Sequence, residues 1–427
     1  MKFNRRHVLI GAGAALAAPA LIGRAAAQQG QTVRMLSRSH FVPEYETWLK
    51  ELAAKFEAET GIQVISDHIA QAELAVRYVS EVSSQQGHDI VELIDPFTLL
   101  PVYADQLADV SDIAEDLGAR NGGWLPVAEN YTKVGDTWKG VLNYYIDHSA
   151  CYRRDLFERI GAEVPQTWQE VLEAGVKLKE IGHPVGMSFA RGADSTANFN
   201  CLLWAFDAAW ISPDGADITI VSPETKAALE FTKELYERAM TPEVLSWDDS
   251  GNNRFMISGR GSWTLNAPSV YKTAMAQAPD IGQHIFHTLP PAGPNGTRVN
   301  YSMVYGYGIW EFSPNIEASK RWLTYLVDNW MSSYPAVVGY NYPGLRDHAA
   351  QIGPVLAEDP HIADLVGIPE ISQPNGYPGP ISKTAAEVAA TYVLPDMFLR
   401  SVRSGDADEA MAWAEGQIRE IQARQGA

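Results

Sequence analysis

From Thr32 onward, strand-like and helix-like runs alternate, a pattern that restricts the fold to a mostly parallel sheet covered by helices. Thr32-Val-Arg-Met-Leu36 reads as a first strand. Residues 44–60 place Trp48, Leu49, Leu52 and Phe56 at helical spacing, and Thr60-Gly61 stops that helix before a second strand at 62–65. A helix over 72–85 leads to a third strand at 89–94. Asp95-Pro96 ends it with a carboxylate at the carboxyl edge, where open α/β sheets bind ligands.

Further along, 138–146 and 150–152 read as extended, with a first crossing between lobes placed near Asn143 to Tyr145, and a short helix follows at 154–161. Thr167 and Glu170 form a capping box ahead of an apolar run. Helices are expected at about 197–209, 223–239, 248–257 and 268–277, and His284 to Leu289 followed by Pro290-Pro291 reads as a return crossing. A strand over 299–310, a helix from Ser313 to Met331, and helices over 385–401 and 407–424 close the chain.

Ahead of this pattern, residues 1–27 hold no acid and run from Lys2, Arg5 and Arg6 through a Gly/Ala/Leu stretch to Arg24-Ala-Ala-Ala27. A positive start, a short apolar middle and small residues at the end form an export signal, placing the mature start at Gln28 and the working protein in the periplasm. Arg5-Arg6 resembles the twin-arginine type; an ordinary Sec leader is the alternative. The apolar run falls short of the ~20 residues a spanning helix needs. Gly11-Ala-Gly13 follows no strand and is no dinucleotide loop.

Losing Lys2, Arg5, Arg6 and Arg24 with the leader, and no acid, takes the formal net charge from −19 to −23. So acidic a chain repels nucleic acid and anionic lipid, which leaves neutral or cationic solutes as the natural ligands. The 400 residues that remain suggest two lobes or three. Cys151 and Cys201 are too few for a disulfide framework or a four-cysteine zinc site, and their apolar neighbours suit buried free thiols; a single bridge is the alternative.

Several segments are familiar in order. Phe56-Glu-Ala-Glu-Thr-Gly-Ile-Gln-Val64, Ala150-Cys-Tyr-Arg-Arg-Asp-Leu-Phe-Glu-Arg-Ile-Gly161, Pro165-Gln-Thr-Trp-Gln-Glu170, Phe255-Met-Ile-Ser-Gly-Arg-Gly-Ser-Trp263, Tyr307-Gly-Ile with Ser313-Pro-Asn-Ile-Glu-Ala318, and Asp359-Pro-His-Ile-Ala span nearly the whole mature chain. The sequence resembles the carbohydrate-type periplasmic binding proteins of ATP-binding-cassette importers, the maltose-binding-protein-like family. Arg153-Arg154 stands where that family usually has Asn-Lys. The resemblance implies an α/β fold of two lobes, each a mostly parallel sheet flanked by helices, closing by hinge motion on a solute. It divides the chain into the leader at 1–27, an N-terminal lobe of 28–143 plus 290–332, and a C-terminal lobe of 144–289 plus 333–427. The implied partners are a sugar or sugar-like small molecule and the membrane permease, with a monomeric receptor, no nucleic acid, no cofactor and no metal.

A sugar offers hydroxyls at its edge and C–H groups on its faces, so its site needs carboxylates, amides and aromatic planes. After the first strand, His40 is the expected hydrogen-bonding group, a surface histidine being the alternative. Gln71 follows the second strand. Asp95 aligns with a hydroxyl-accepting aspartate, though it is also placed to cap a helix. The resemblance makes Trp263 a stacking platform, against a core role, with Asn266 three residues on. Tyr305-Gly306-Tyr307 surrounds a glycine that lets backbone approach a ligand. Tyr342 and Arg346 add polar contacts, Arg346 facing an anion or bridging the lobes. Tyr145, Asp147 and Trp204 complete the set.

No Gly-x-Ser-x-Gly elbow, His-Glu-x-x-His or Walker loop occurs. His284-x-x-His287 falls on a strand, where such spacing faces opposite sides. Binding without catalysis is therefore expected; an exported carbohydrate-active enzyme and a ligand-presenting sensor subunit are the alternatives.

Overall fold

The computed structural model describes residues 30–94 and 100–425. The export leader and Asp95 lie outside the described residues. In chain order the elements that frame the site are β1 (Thr32–Arg38), α1 (Pro43–Thr60), β2 (Gln63–Ile69), α2 (Leu74–Ser84), β3 (Ile90–Ile94), β4 (Val141–Asp147) and β5 (Ser149–Arg153). Next come α3 (Trp168–Glu180), α4 (Ala193–Ala205), α5 (Pro223–Ala239), α6 (Gly251–Ile257), β6 (Trp263–Asn266), α7 (Ser269–Gln277) and β7 (Ile285–Thr288). The last group is β8 (Asn300–Ile309), α8 (Ile316–Asp328), α9 (Arg346–Glu358), β9 (Ser372–Gln373), α10 (Lys383–Ala390), α11 (Val393–Ser404) and α12 (Ala407–Gln425).

In the first lobe β2, β1 and β3 run parallel, β8 pairs antiparallel to β3, and β4 pairs antiparallel to β8. Residues of β3 and β8 are buried along their whole lengths, as expected of strands covered on both faces. Gly61 ends α1 at φ 75°, and its N–H bonds Glu57 O, the left-handed stop that the Thr-Gly pair announces.

The second lobe is built round β5, which pairs antiparallel with both β6 and β7. Those two strands are therefore parallel to each other, and Val185 adds a parallel bridge to β6. Within this α/β lobe the strand entering from the hinge runs against its neighbours, because α7 carries the chain over between β6 and β7 while β5 arrives directly from the other lobe. Helices α4, α5, α11 and α12 pack together on this lobe. The Thr167–Glu170 capping box opens α3 with both reciprocal bonds, at 3.2 and 3.0 Å.

β4 stays paired with β8 as far as Asp147 opposite Ser302, so residues 143–145 lie inside this strand pair. One local expectation shifts. The single helix expected over 385–401 is two, α10 and α11, separated by Tyr392 at φ 59°. Pro395 is the cause: inside a continuous helix it has no N–H to give and crowds the turn before it, whereas the first turn of a new helix accepts it. Cys151 and Cys201 are buried free thiols. Among the described residues no helix is long and apolar enough to cross a membrane.

Candidate functional site

A narrow cavity of about 20 Å3, room for about one water, lies between the lobes near the crossing strands, so a solute larger than water enters it only as the lobes part. Phe41, Gln71, Met303, Tyr305 and Tyr340 line it from the first lobe; His148, Asp194, Asp249, Asn253, Asn266 and Ser269 line it from the second. The ends of β1, β2 and β8 deliver the first wall. The N-terminus of α4, the loop before α6 and the end of β6 deliver the second.

The first wall is stiffened by Arg38, the last residue of β1, whose side chain is buried. Its guanidinium lies 4.5 Å from the centre of the Tyr305 ring and 5.1 Å from that of Phe41. Nη2 donates to the Tyr144 hydroxyl at 3.1 Å and to that of Tyr340 at 3.5 Å, and Nη1 donates to Ser39 O at 3.2 Å. Tyr144 in turn stacks on Tyr305 with ring centres 4.7 Å apart. Glu92, on β3, accepts from the Arg38 backbone N–H at 2.8 Å, and burial raises its carboxyl above the usual range despite the nearby guanidinium. Arg38, Tyr144, Tyr305 and Tyr340 thus form one packed polar-aromatic unit behind the cavity.

The second wall is acidic. Asp249 accepts from the Asp194 N–H at 3.3 Å and so caps α4 in place of its N-cap residue, Gly192, which has no side chain to do it. A Cβ at Gly192 would stand 2.3 Å from Asp249 Oδ1. Asp194 Oδ1 lies 3.5 Å from His148 Nε2, and its other oxygen accepts from Asn252 Nδ2. Burial first, and then the charge of Asp194, push Asp249 up to about 7. Asn266 Nδ2 donates to Asn253 Oδ1 at 2.5 Å, and Asn253 Nδ2 to Ser269 Oγ at 3.4 Å.

Of the residues singled out from sequence, Gln71, Asn266 and Tyr305 line this cavity. His40 lies just behind it: its ring stacks on Tyr45 at 4.5 Å, Nδ1 accepts from the Val42 N–H at 3.0 Å, and Nε2 lies 3.3 Å from Asn341 Oδ1. Burial, reinforced by the Arg38 charge, lowers its pKa well below the usual histidine value, so it is neutral, with both nitrogens engaged. Trp263 is fully buried beneath the second wall, its ring edge-on to Trp168 at 5.7 Å. Tyr307 points into the first lobe, 3.4 Å from Ser37 Oγ and from Asn143 Nδ2. At Gly306 the close neighbours are Val141 O and the Tyr131 ring.

Tyr145 and Tyr342 stack on each other at 5.4 Å beside the hinge, and Trp204 stacks on Tyr301 at 5.8 Å. Asp147 is buried at the crossing, where Oδ1 gathers Asn300 Nδ2, Ser302 Oγ and Ser372 Oγ at 2.8, 2.5 and 2.9 Å. Burial raises its pKa to about 6. Arg346 is exposed at the start of α9, its backbone N–H bonded to Gly123 O at 3.0 Å. His287 is buried, with Nδ1 2.8 Å from Ser149 Oγ. Among the described residues no group of three or more potential ligands gathers where a metal would sit.

Sequence reasoning passed over Arg38, Phe41, His148, Asp194, Asp249, Asn253, Ser269, Met303 and Tyr340. Arg38 and Phe41 flank His40 in the same loop, and Asp248-Asp249-Ser250-Gly251-Asn252-Asn253 is a dense polar run whose placement only the fold reveals.

Two α/β lobes joined by crossing strands, with a cavity lined from both, define a protein that encloses a small solute. The chain belongs to the bacterial extracellular solute-binding protein family, whose model matches residues 42–329. YcjN of Escherichia coli K12, provisionally named an ABC transporter periplasmic-binding protein, is 24% identical over 208 residues, 46% of this chain and 47% of that protein. The chain thus aligns with about half the length of this curated relative. Among solved structures, maltose-bound MalE3 of T. maritima superposes with a TM-score of 0.79 at 21% identity, over 92% of this chain and 100% of the other. A sugar transporter of Arthrobacter chlorophenolicus A6 with bound laminaribiose also gives 0.79, at 18% identity over 91% and 99%. At such identities these likenesses establish the fold.

Proposed function

We propose that this protein is the substrate-binding component of an ATP-binding-cassette importer, capturing a sugar or sugar-like solute between its lobes and presenting it to the permease. The observation that carries this reading is the cavity at the hinge, with aromatic rings from one lobe facing hydrogen-bonding side chains from the other. Closure needs no covalent chemistry: the solute bridges the walls, and its contacts with both favour the closed form. The structural relatives solved with maltose and laminaribiose support a carbohydrate ligand.

In this reading the leader is a twin-arginine export signal, cleaved to leave Gln28 as the first residue of a monomeric periplasmic receptor. The lobes exchange at His148, again between Pro290 and Asn300, and a third time between α9 and α10, which returns the chain to the second lobe. Tyr305 supplies a stacking face, and Gln71 and Asn266 bind hydroxyls. Asp95 is assigned a hydroxyl from sequence alone.

The test is a thermal-shift screen of the chain from Gln28 against neutral sugars, polyols, sugar acids, amino sugars and amino acids, with hits checked by calorimetry. A ligand at 100 times its dissociation constant stabilises by about 2.7 kcal/mol. Carbohydrate hits recovered chemically unchanged support a receptor; turnover of a hit overturns it in favour of an enzyme.

A further inference from the structure

The second wall of the cavity is rich in acceptors and short of donors. Asp194 and Asp249 both line it, and among the described residues the one basic side chain within reach of either is His148, whose Nε2 lies 3.5 Å from Asp194 Oδ1. Asn266 Nδ2 gives one hydrogen to Asn253 Oδ1, and Asn253 Nδ2 gives one to Ser269 Oγ. His148 is 1% exposed and lines the same cavity, and its Nδ1 has no partner. In the neutral tautomer that turns Nε2–H to Asp194, Nδ1 is an acceptor. From the opposite wall Gln71 contributes a second acceptor without a partner, Oε1.

Four acceptor groups therefore converge on one space: two carboxylates, an imidazole nitrogen and an amide oxygen. A hydroxyl donates one hydrogen and accepts in return, whereas an ammonium group donates three and accepts none. Charge argues the same way, since among the described residues no lysine or arginine lines the cavity. Arg38 packs against the rings of Tyr305 and Phe41 and is not part of the lining. Burial first, and then the charge of Asp194 beside it, hold the Asp249 carboxyl up, and a cation between the two would relieve that second cost.

Building on the receptor reading, we infer that the captured solute carries a protonated amine among its hydroxyls, an amino sugar or amino polyol, seated between Asp194, Asp249 and His148. Its ring or chain lies against Tyr305 and Tyr340. The carboxylates neutralise the charge, and the acidity of the whole chain draws the cation in.

Calorimetry at pH 7.5 decides it with matched sets of ligands: glucosamine, 6-amino-6-deoxyglucose and glucamine, each beside its neutral parent and its N-acetylated form. The amines bind about tenfold or more tighter than both uncharged counterparts, and Asp194→Asn removes the preference. Neutral or N-acetylated forms that bind equally well overturn the inference while leaving the sugar receptor intact. Silence from every member of the panel overturns both. Should Asp249→Asn fail to fold for want of the α4 cap, Asp194→Asn and the wild-type ligand pairs still decide. A preference that survives in Asp194→Asn also overturns the assignment.

Discussion

The two walls of the cavity are built on opposite plans. In the first lobe Arg38, Tyr144, Tyr305 and Tyr340 contact one another, so the wall has its shape before any ligand arrives. In the second lobe the acids meet at a helix start, and His148 keeps a nitrogen unpartnered. One wall is a finished surface and the other an incomplete set of hydrogen bonds. In the proposed reading, recognition of shape belongs to the first lobe and recognition of charge to the second.

The strongest way to break this comparison is to disturb what supports the second wall without touching its lining. Trp263→Ala removes a fully buried indole packed on Trp168, and is expected to cost about 3–5 kcal/mol of stability in chemical denaturation, with the affinity of the folded fraction retained. A stable variant with weakened binding would instead put Trp263 at the ligand.

Next in size is the hinge joining the walls. The carboxyl of Asp147 titrates near 6 in the fold, above the ordinary value of 3.8, so the folded state holds this proton more tightly than the unfolded chain. Stability from this group is intact below pH ~4 and declines as pH rises through about 6, a loss of about 3 kcal/mol. Asp147→Asn is expected to flatten that part of the stability profile, measured by urea melts between pH 4 and 7.

Tyr305→Leu sharpens the comparison from the first side: it removes the ring beneath Arg38 and is expected to weaken ligand binding by about 1–3 kcal/mol in calorimetry. Unchanged affinity would mean that this wall only supports the lobe. The smallest effect belongs to Arg346→Ala. This side chain is exposed at the start of α9, so affinity and stability should both stay within about 0.5 kcal/mol of wild type.

Alternation of strands and helices was enough to read the layers and most of the elements, because burial on both faces and clear stop signals such as Gly61 are local properties. The direction of β5 was not, since it depends on which strand the hinge feeds. The site divides in the same way. The loop after β1 was legible as a wall of the cleft, but the end of β1 is buried on both faces, so no alternation separates Arg38 from His40. Asp194 and Asp249 meet across 55 residues, through a helix cap that no spacing encodes.

Gly192 gives that cap an evolutionary reading. Any side chain there would collide with the Asp249 carboxylate and displace it from the start of α4. Selection for a new cargo could therefore act on a residue that never touches the cargo, redrawing the charge of the cleft through the backbone that supports it.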